Sequence, residues 1–280
     1  DKVMIQPPVY HPFAWVTTRN ERTLVTNPLK WENGMYRMDL DAFRELIKGC
    51  KLFILCNPHN PGGVVWTEAE LRAIADICYD EKVLVFSDEI HADLTLPPHT
   101  HRPFAAVSEK ARMNSVTFMS PSKAFNMPGL SASHALIFNE DLRKRFRIYM
   151  DAGELDMGHV FAFLSVEAAY SHGTEWLDQC LAYIQGNIDF VDDFLKNHAP
   201  KIKAIRPEAS YLVWLDCREL KLSQKDLNEF FVDKAHLALN DGEMFGKEGI
   251  GFMRLNVASP RCIIEKAMKQ LADAYQLYIK

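Results

Sequence analysis

No apolar run in this chain of 280 residues approaches the roughly 20 needed for a helix to cross a bilayer, so no helical membrane span is expected. The start, Asp1-Lys2-Val3-Met4-Ile5-Gln6, lacks the longer apolar stretch of a secretory signal. A surplus of positive charge is also missing. Lys and Arg total 32 against 37 Asp and Glu, and the net charge of -5 gives no electrostatic pull towards nucleic acid or an anionic membrane. The six cysteines, Cys50, Cys56, Cys78, Cys180, Cys217 and Cys262, form no C-x-x-C pair and mostly fall inside apolar patterns. That excludes a disulfide-framed scaffold and fits reduced thiols in a cytoplasm. Internal repeats and low-complexity tracts are absent too. His99-Thr100-His101 has no Cys or carboxylate at ligand spacing, so both histidines are expected on the surface and no metal is expected. The basic cluster Arg143-Lys144-Arg145-Arg147 shares its helix with Glu140 and Asp141 and reads as a solvated face.

What the chain does have is an alternation of short apolar runs with longer amphipathic stretches. Val3-Met4-Ile5, Leu52 to Cys56, Val83 to Phe86, Val116 to Met119 and Ala135 to Phe138 have the composition of buried strands. Between the second and third, Thr67-Glu68-Ala69-Glu70 is a capping box, and Leu71, Ile74, Ala75 and Cys78 recur at helical spacing behind it. Strand, helix, strand implies a parallel crossover. After Phe138 helices are expected over 141–150, 159–170 and 175–196, followed by strands at 211–215 and 251–257 and helices at 224–235 and 261–278. The fold class is therefore α/β: a mostly parallel sheet domain over residues 1–173 with a smaller α+β domain over 174–280.

Ligands of parallel sheets collect beyond the carboxyl ends of the strands. Three polar loops fall there: Asn57 to Gly63, Asp88 to His91 and Ser120 to Lys123. Lys123 lies between small residues and ahead of Phe125, Met127 and Leu130, surroundings that can desolvate an amine. Asp88 ends the preceding strand, where a carboxylate can keep a pyridine ring protonated and so an electron sink.

The ordered set Asn57-Pro58-His59-Asn60-Pro61-Gly62-Gly63, Ser87-Asp88-Glu89-Ile90-His91, Ser120-Pro121-Ser122-Lys123 and Gly251-Phe252-Met253-Arg254-Leu255-Asn256 resembles the fold-type-I pyridoxal-phosphate enzymes. Within them it is most similar to the MalY/PatB-type cystathionine β-lyases. The resemblance implies pyridoxal 5'-phosphate as cofactor, with Lys123 binding it covalently and abstracting the substrate proton. It also implies Asp88 at the pyridine nitrogen, Asn60 and His91 at the phenolic oxygen, Tyr10 stacked on the ring, Ser120 and Ser122 at the phosphate, and Arg254 on the substrate carboxylate. Taken singly, each has a plainer reading. Tyr10 can be strand-end packing, Asn60 a turn residue, the serines loop residues, Arg254 an edge charge and His91 a satisfied strand-end histidine. Their joint order is what favours a site.

The implied activity is C–S β-lysis of cystathionine or a related S-substituted cysteine, in a cytoplasmic homodimer. The same inner residues would serve transamination, which stands as the alternative, and a regulatory binding role on the same fold is a third reading. The resemblance also implies a domain-scale segment ahead of the first strand, so the chain is expected to be part of a longer protein.

Overall fold

A computed structural model describes residues 1–155 and 157–278; the last two residues assigned above to the smaller domain lie outside them. Strand β1 (Lys2–Ile5) buries Val3, Met4 and Ile5, and helix α1 (Pro12–Arg19) returns the chain to β2 (Thr23–Thr26), which pairs parallel to β1. A hairpin of β3 (Lys30–Glu32) and β4 (Met35–Arg37) and the short helix α2 (Leu40–Leu46), capped by Asp39, lead to β5 (Cys50–Cys56). Helix α3 (Glu68–Asp80) opens on the Thr67/Glu70 capping box and buries Leu71, Ile74, Ala75, Ile77 and Cys78 against the sheet. It crosses to β6 (Leu84–Asp88), and α4 (Glu109–Met113) then leads to β7 (Ser115–Met119) and the antiparallel β8 (His134–Leu136).

The resulting order is β2-β1-β5-β6-β7-β8, parallel except at β8. Register fixes what matters for function. Cys56 lies opposite Asp88, and Asp88 opposite Phe118, so β5, β6 and β7 end level with one another and their three polar loops leave from one edge.

Three helices follow: α5 (Glu140–Ala152), α6 (Val160–His172) and the long α7 (Thr174–His198). The break between the last two is at Gly173, where an added Cβ would stand 2.4 Å from the Phe125 ring and 2.5 Å from the Ala169 carbonyl. A second, antiparallel sheet then forms from β9 (Lys203–Ile205), β10 (Leu212–Asp216), β11 (Asn240–Asp241) and β12 (Phe252–Asn256), in the order β11-β12-β10-β9. Helix α8 (Gln224–Glu229) passes into a π turn over Phe230–Lys234, and α9 (Arg261–Tyr278) closes the described chain.

Alternation along β10 divides its side chains between two cores. Val213 and Leu215 pack with Met253, Leu255, Ile264 and Leu271. Trp214 turns the other way, stacks on Phe252 at 5.3 Å, donates to the Tyr36 hydroxyl at 3.2 Å and joins the core of the first sheet. The main elements match the sequence expectation to within a few residues. The exceptions are β2, β9, β11 and the β3–β4 hairpin, which were not expected, and the short helices α1, α2 and α4, whose positions between the strands were not specified; short edge pairs draw their stability from neighbours far away in sequence. No described helix is long and apolar enough to cross a membrane.

Candidate active site

The loop after β5 is a tight structure in which Gly63 donates its N–H to the His59 carbonyl at 2.8 Å and accepts from the amides of Glu208 and Ala209. Gly63 adopts φ +68°, and a Cβ there would stand 2.5 Å from Pro207, so only glycine lets the segment before β10 dock so closely. This docking holds Asn60 beneath β12. The Asn60 Oδ1 accepts from Arg254 Nη1 at 2.9 Å, while Arg254 Nη2 donates to Asn240 Oδ1 at 2.8 Å. The guanidinium also lies 4.7 Å from the Phe245 ring centroid. Three residues, Asn60, Asn240 and Phe245, thus fix one cation, and its buried Nε has no partner among the described residues.

Asp88, at the end of β6, accepts from the Ile90 amide at 3.2 Å. Burial pushes its carboxyl up to about 6, the neighbouring Glu89 charge acts in the same direction, and Lys123 opposes it. His91, buried in the following turn, is pushed down to about 4 by burial first and then by the positive charges of Lys123 and Arg254. It is a neutral imidazole at pH 7, and its buried Nδ1 has no partner among the described residues. Cys56 is also present, but burial and the Asp88 carboxylate push its thiol up and keep it protonated.

Tyr10, Asn60, Asp88, His91, Lys123 and Arg254 line one cavity of about 370 Å³, together with His11, Cys56, Tyr211 and Asn256. Six of the eight residues singled out in the sequence therefore converge. The two serines do not line this cavity. Ser120 Oγ donates to the Ala132 carbonyl and accepts from the Ser122 amide at 3.0 Å, bracing the turn that carries Lys123. Ser122 lines an adjoining cavity of about 310 Å³ that shares Lys123, Tyr211 and Asn256 with the first. Sequence reasoning missed Asn240, Tyr211 and Asn256. The last two carried a usable signal, since Tyr211 directly precedes β10 and Asn256 shares the face of β12 with Arg254.

A further correction concerns His101. It is not a surface residue: its side chain is only 10% exposed and its Nε2 lies 2.7 Å from Glu89 Oε2. A fully buried carboxylate needs donors, and this one draws the loop inward. His99 is exposed, as is the basic cluster of α5.

The groups present fit pyridoxal phosphate. The cavity offers an amine, a carboxylate enclosed at the end of β6, an amide whose oxygen is already held by Arg254, and three buried nitrogens, on His11, His91 and Arg254, without partners among the described residues. The sequence profile of the aminotransferase class I and II family matches residues 1–271. The chain belongs to that family. It is 38% identical over 276 residues to cystathionine β-lyase PatB of Bacillus subtilis (strain 168), a match covering 98% of this chain and 71% of the relative. Protein MalY of Escherichia coli (strain K12) is 32% identical over 275 residues, covering 97% and 70%. Among solved structures, cystalysin from Treponema denticola, which contains a pyridoxal 5'-phosphate cofactor, aligns with a TM-score of 0.97 at 36% identity, covering all of this chain and 71% of that one. The chain thus has the fold-type-I architecture of this pyridoxal-phosphate-dependent family.

Proposed function

We infer that this chain is a pyridoxal-phosphate-dependent carbon–sulfur β-lyase that converts cystathionine or a related S-substituted cysteine to a thiol, pyruvate and ammonia. The observation that carries the reading is the convergence of Lys123, Asp88, Asn60 and Arg254 on one cavity, in a chain 38% identical to a cystathionine β-lyase. When bound, the cofactor supplies a protonated ring that withdraws negative charge from the substrate Cα. Asp88 would hold the proton on the ring nitrogen, and a cation facing it favours its carboxylate form. Asn60 and His91 would hold the phenolic oxygen, Tyr10 would pack on the ring face, and Ser120 and Ser122 would lie at the phosphate end. Arg254 would exchange one of its amide acceptors for the substrate carboxylate, taken in a two-point contact. The Lys123 amine would take the Cα proton as the C–S bond breaks and return a proton to the departing sulfur. The three-carbon enamine left behind hydrolyses to pyruvate and ammonia.

The test is incubation with pyridoxal phosphate, borohydride reduction and peptide mapping, followed by an assay of pyruvate from cystathionine with no keto acid added. A pyridoxyl adduct confined to Lys123 and pyruvate release are expected. Folded protein without that adduct, or amino-group transfer to a keto acid without pyruvate, overturns the reading.

Two coarser features belong to the same reading. The division into residues 1–173 and 174–280 is supported by the break at Gly173 and by the two main sheets, one on either side of it. A homodimer is supported by the exposed aromatics of α6, Phe161 and Phe163 at 69% and 63%, and by Tyr149 of α5 at 72%. Apolar surface on that scale marks an interaction face.

A further inference from the structure

The cavity accounts for Asp88 but not for the groups immediately behind it. Ser87 and Glu89 flank Asp88 in sequence, so strand alternation turns both away from the cavity. Glu89 is 1% exposed. Its Oε1 accepts from Ser87 Oγ at 2.8 Å and from the Phe104 amide at 2.8 Å, and its Oε2 meets His101 Nε2 at 2.7 Å. The backbone is pinned at the same point: Glu89 N donates to Phe118 O at 2.8 Å, and Asp88 O accepts from Asn57 N at 2.9 Å. The loop that brings His101 is itself tied back, since Asn57 Nδ2 donates to the Arg102 carbonyl at 3.1 Å. A buried carboxylate with neutral partners alone would place a full negative charge one residue from Asp88. Among the described residues, the imidazole is the one group touching Glu89 that can carry a compensating positive charge.

We propose that Glu89 and His101 form a positioning pair for Asp88. Their bonds set where the Asp88 carboxylate stands at the end of β6, and the charge of the imidazole governs how much of the Glu89 charge Asp88 feels. The proposal rests on the lyase reading only for its purpose, a carboxylate kept ionised against a cationic ring. The pair acts whether or not a ligand is present. The other titratable groups facing Asp88 are Lys123 from the turn after β7, His91 from its own turn and Cys56 from β5.

The test reads the Asp88 carboxyl directly, by carbon-detected NMR titration of ligand-free protein labelled at aspartate, with Asp88→Asn for assignment. Glu89→Gln keeps a hydrogen-bonding side chain and removes the charge, so the Asp88 midpoint is expected to fall by about one unit. His101→Gln keeps a donor and removes the cation, so the midpoint is expected to rise by a similar amount. In parallel, cofactor affinity measured below pH 6 rises about tenfold for the first variant and falls about tenfold for the second. A merely structural role moves both variants the same way, and that result, or no movement in either, overturns the proposal. If Glu89→Gln fails to fold, His101→Gln decides alone. If both fail, the unaltered protein must show a second Asp88 inflection coincident with titration of the His101 ring signals, and a single inflection overturns the proposal. Loss of cofactor binding with the opposed Asp88 shifts intact would fall on the lyase reading instead.

Discussion

Arg254 is held at three points, by two amide oxygens and the face of Phe245, and one of the amide oxygens would yield to a substrate carboxylate. A lysine can keep the charge but not the planar fork. Arg254→Lys is therefore expected to raise KM for cystathionine by about tenfold or more while kcat changes less, as read by steady-state kinetics. Titration supplies a second residue-scale prediction. Burial pushes His59 and His91 down to about 4, so the native state binds fewer protons than the unfolded chain between about pH 4 and 6.5. Each histidine therefore contributes stability that is fully present above pH 6.5 and lost as pH falls towards 4, on the order of 3 kcal/mol apiece at the acid end. Asp88, raised to about 6, works the other way: the native state takes up its proton first, and stability is gained as pH falls from about 6 to 4. It offsets roughly one histidine. Thermal unfolding of the ligand-free protein is expected to weaken from pH 7 to 5, more steeply in Asp88→Asn and less steeply in His59→Gln; a flat profile would contradict the assignment.

At the scale of elements, the site depends on where strands stop and on how the loops beyond them are braced. The capping box of α3 sets the crossover between β5 and β6, with Thr67 accepting from Glu70 N at 3.2 Å and Glu70 reaching back to Thr67 N at 2.8 Å. Thr67→Ala is expected to cost about 1 kcal/mol in chemical denaturation, with the cofactor site unchanged. Gly63→Ala is a different kind of change. It adds about 1–2 kcal/mol of left-handed backbone strain and a clash with Pro207, which separates the Asn60 loop from the segment before β10. Weaker cofactor binding, measured by absorbance titration, should accompany the loss of stability. The capping box could be read directly from four residues. The special role of Gly63 could not, because the pressure on it comes from a residue 144 positions later, Pro207.

Across the whole molecule, α6 has apolar residues around its circumference yet buries only Ala162 and Ala169 in the described chain. Val160, Phe161, Phe163 and Leu164 are all more than half exposed. Phe163→Asp is expected to shift the protein towards monomer in light scattering at fixed concentration, with little change in the circular dichroism of the chain. Unchanged mass would show that this face is not where two copies meet.

The sequence by itself determined the strand–helix alternation and the parallel crossover, because hydrophobic period, capping chemistry and the ends of apolar runs are local properties of a chain. Lys123 and Asp88 were legible at the ends of apolar runs, whereas Tyr10, Asn60, His91 and Arg254 were singled out through the resemblance of the ordered motifs to a known family. Only the tertiary structure decided that Asn240 completes the Arg254 clamp, that the two serines brace the lysine turn and do not line the cavity, and that His101 turns inward to Glu89. The physical reason is the same in each case. These placements satisfy buried polar groups with partners supplied by distant segments, and a buried carboxylate or guanidinium can be matched only after the sheets have brought those segments together.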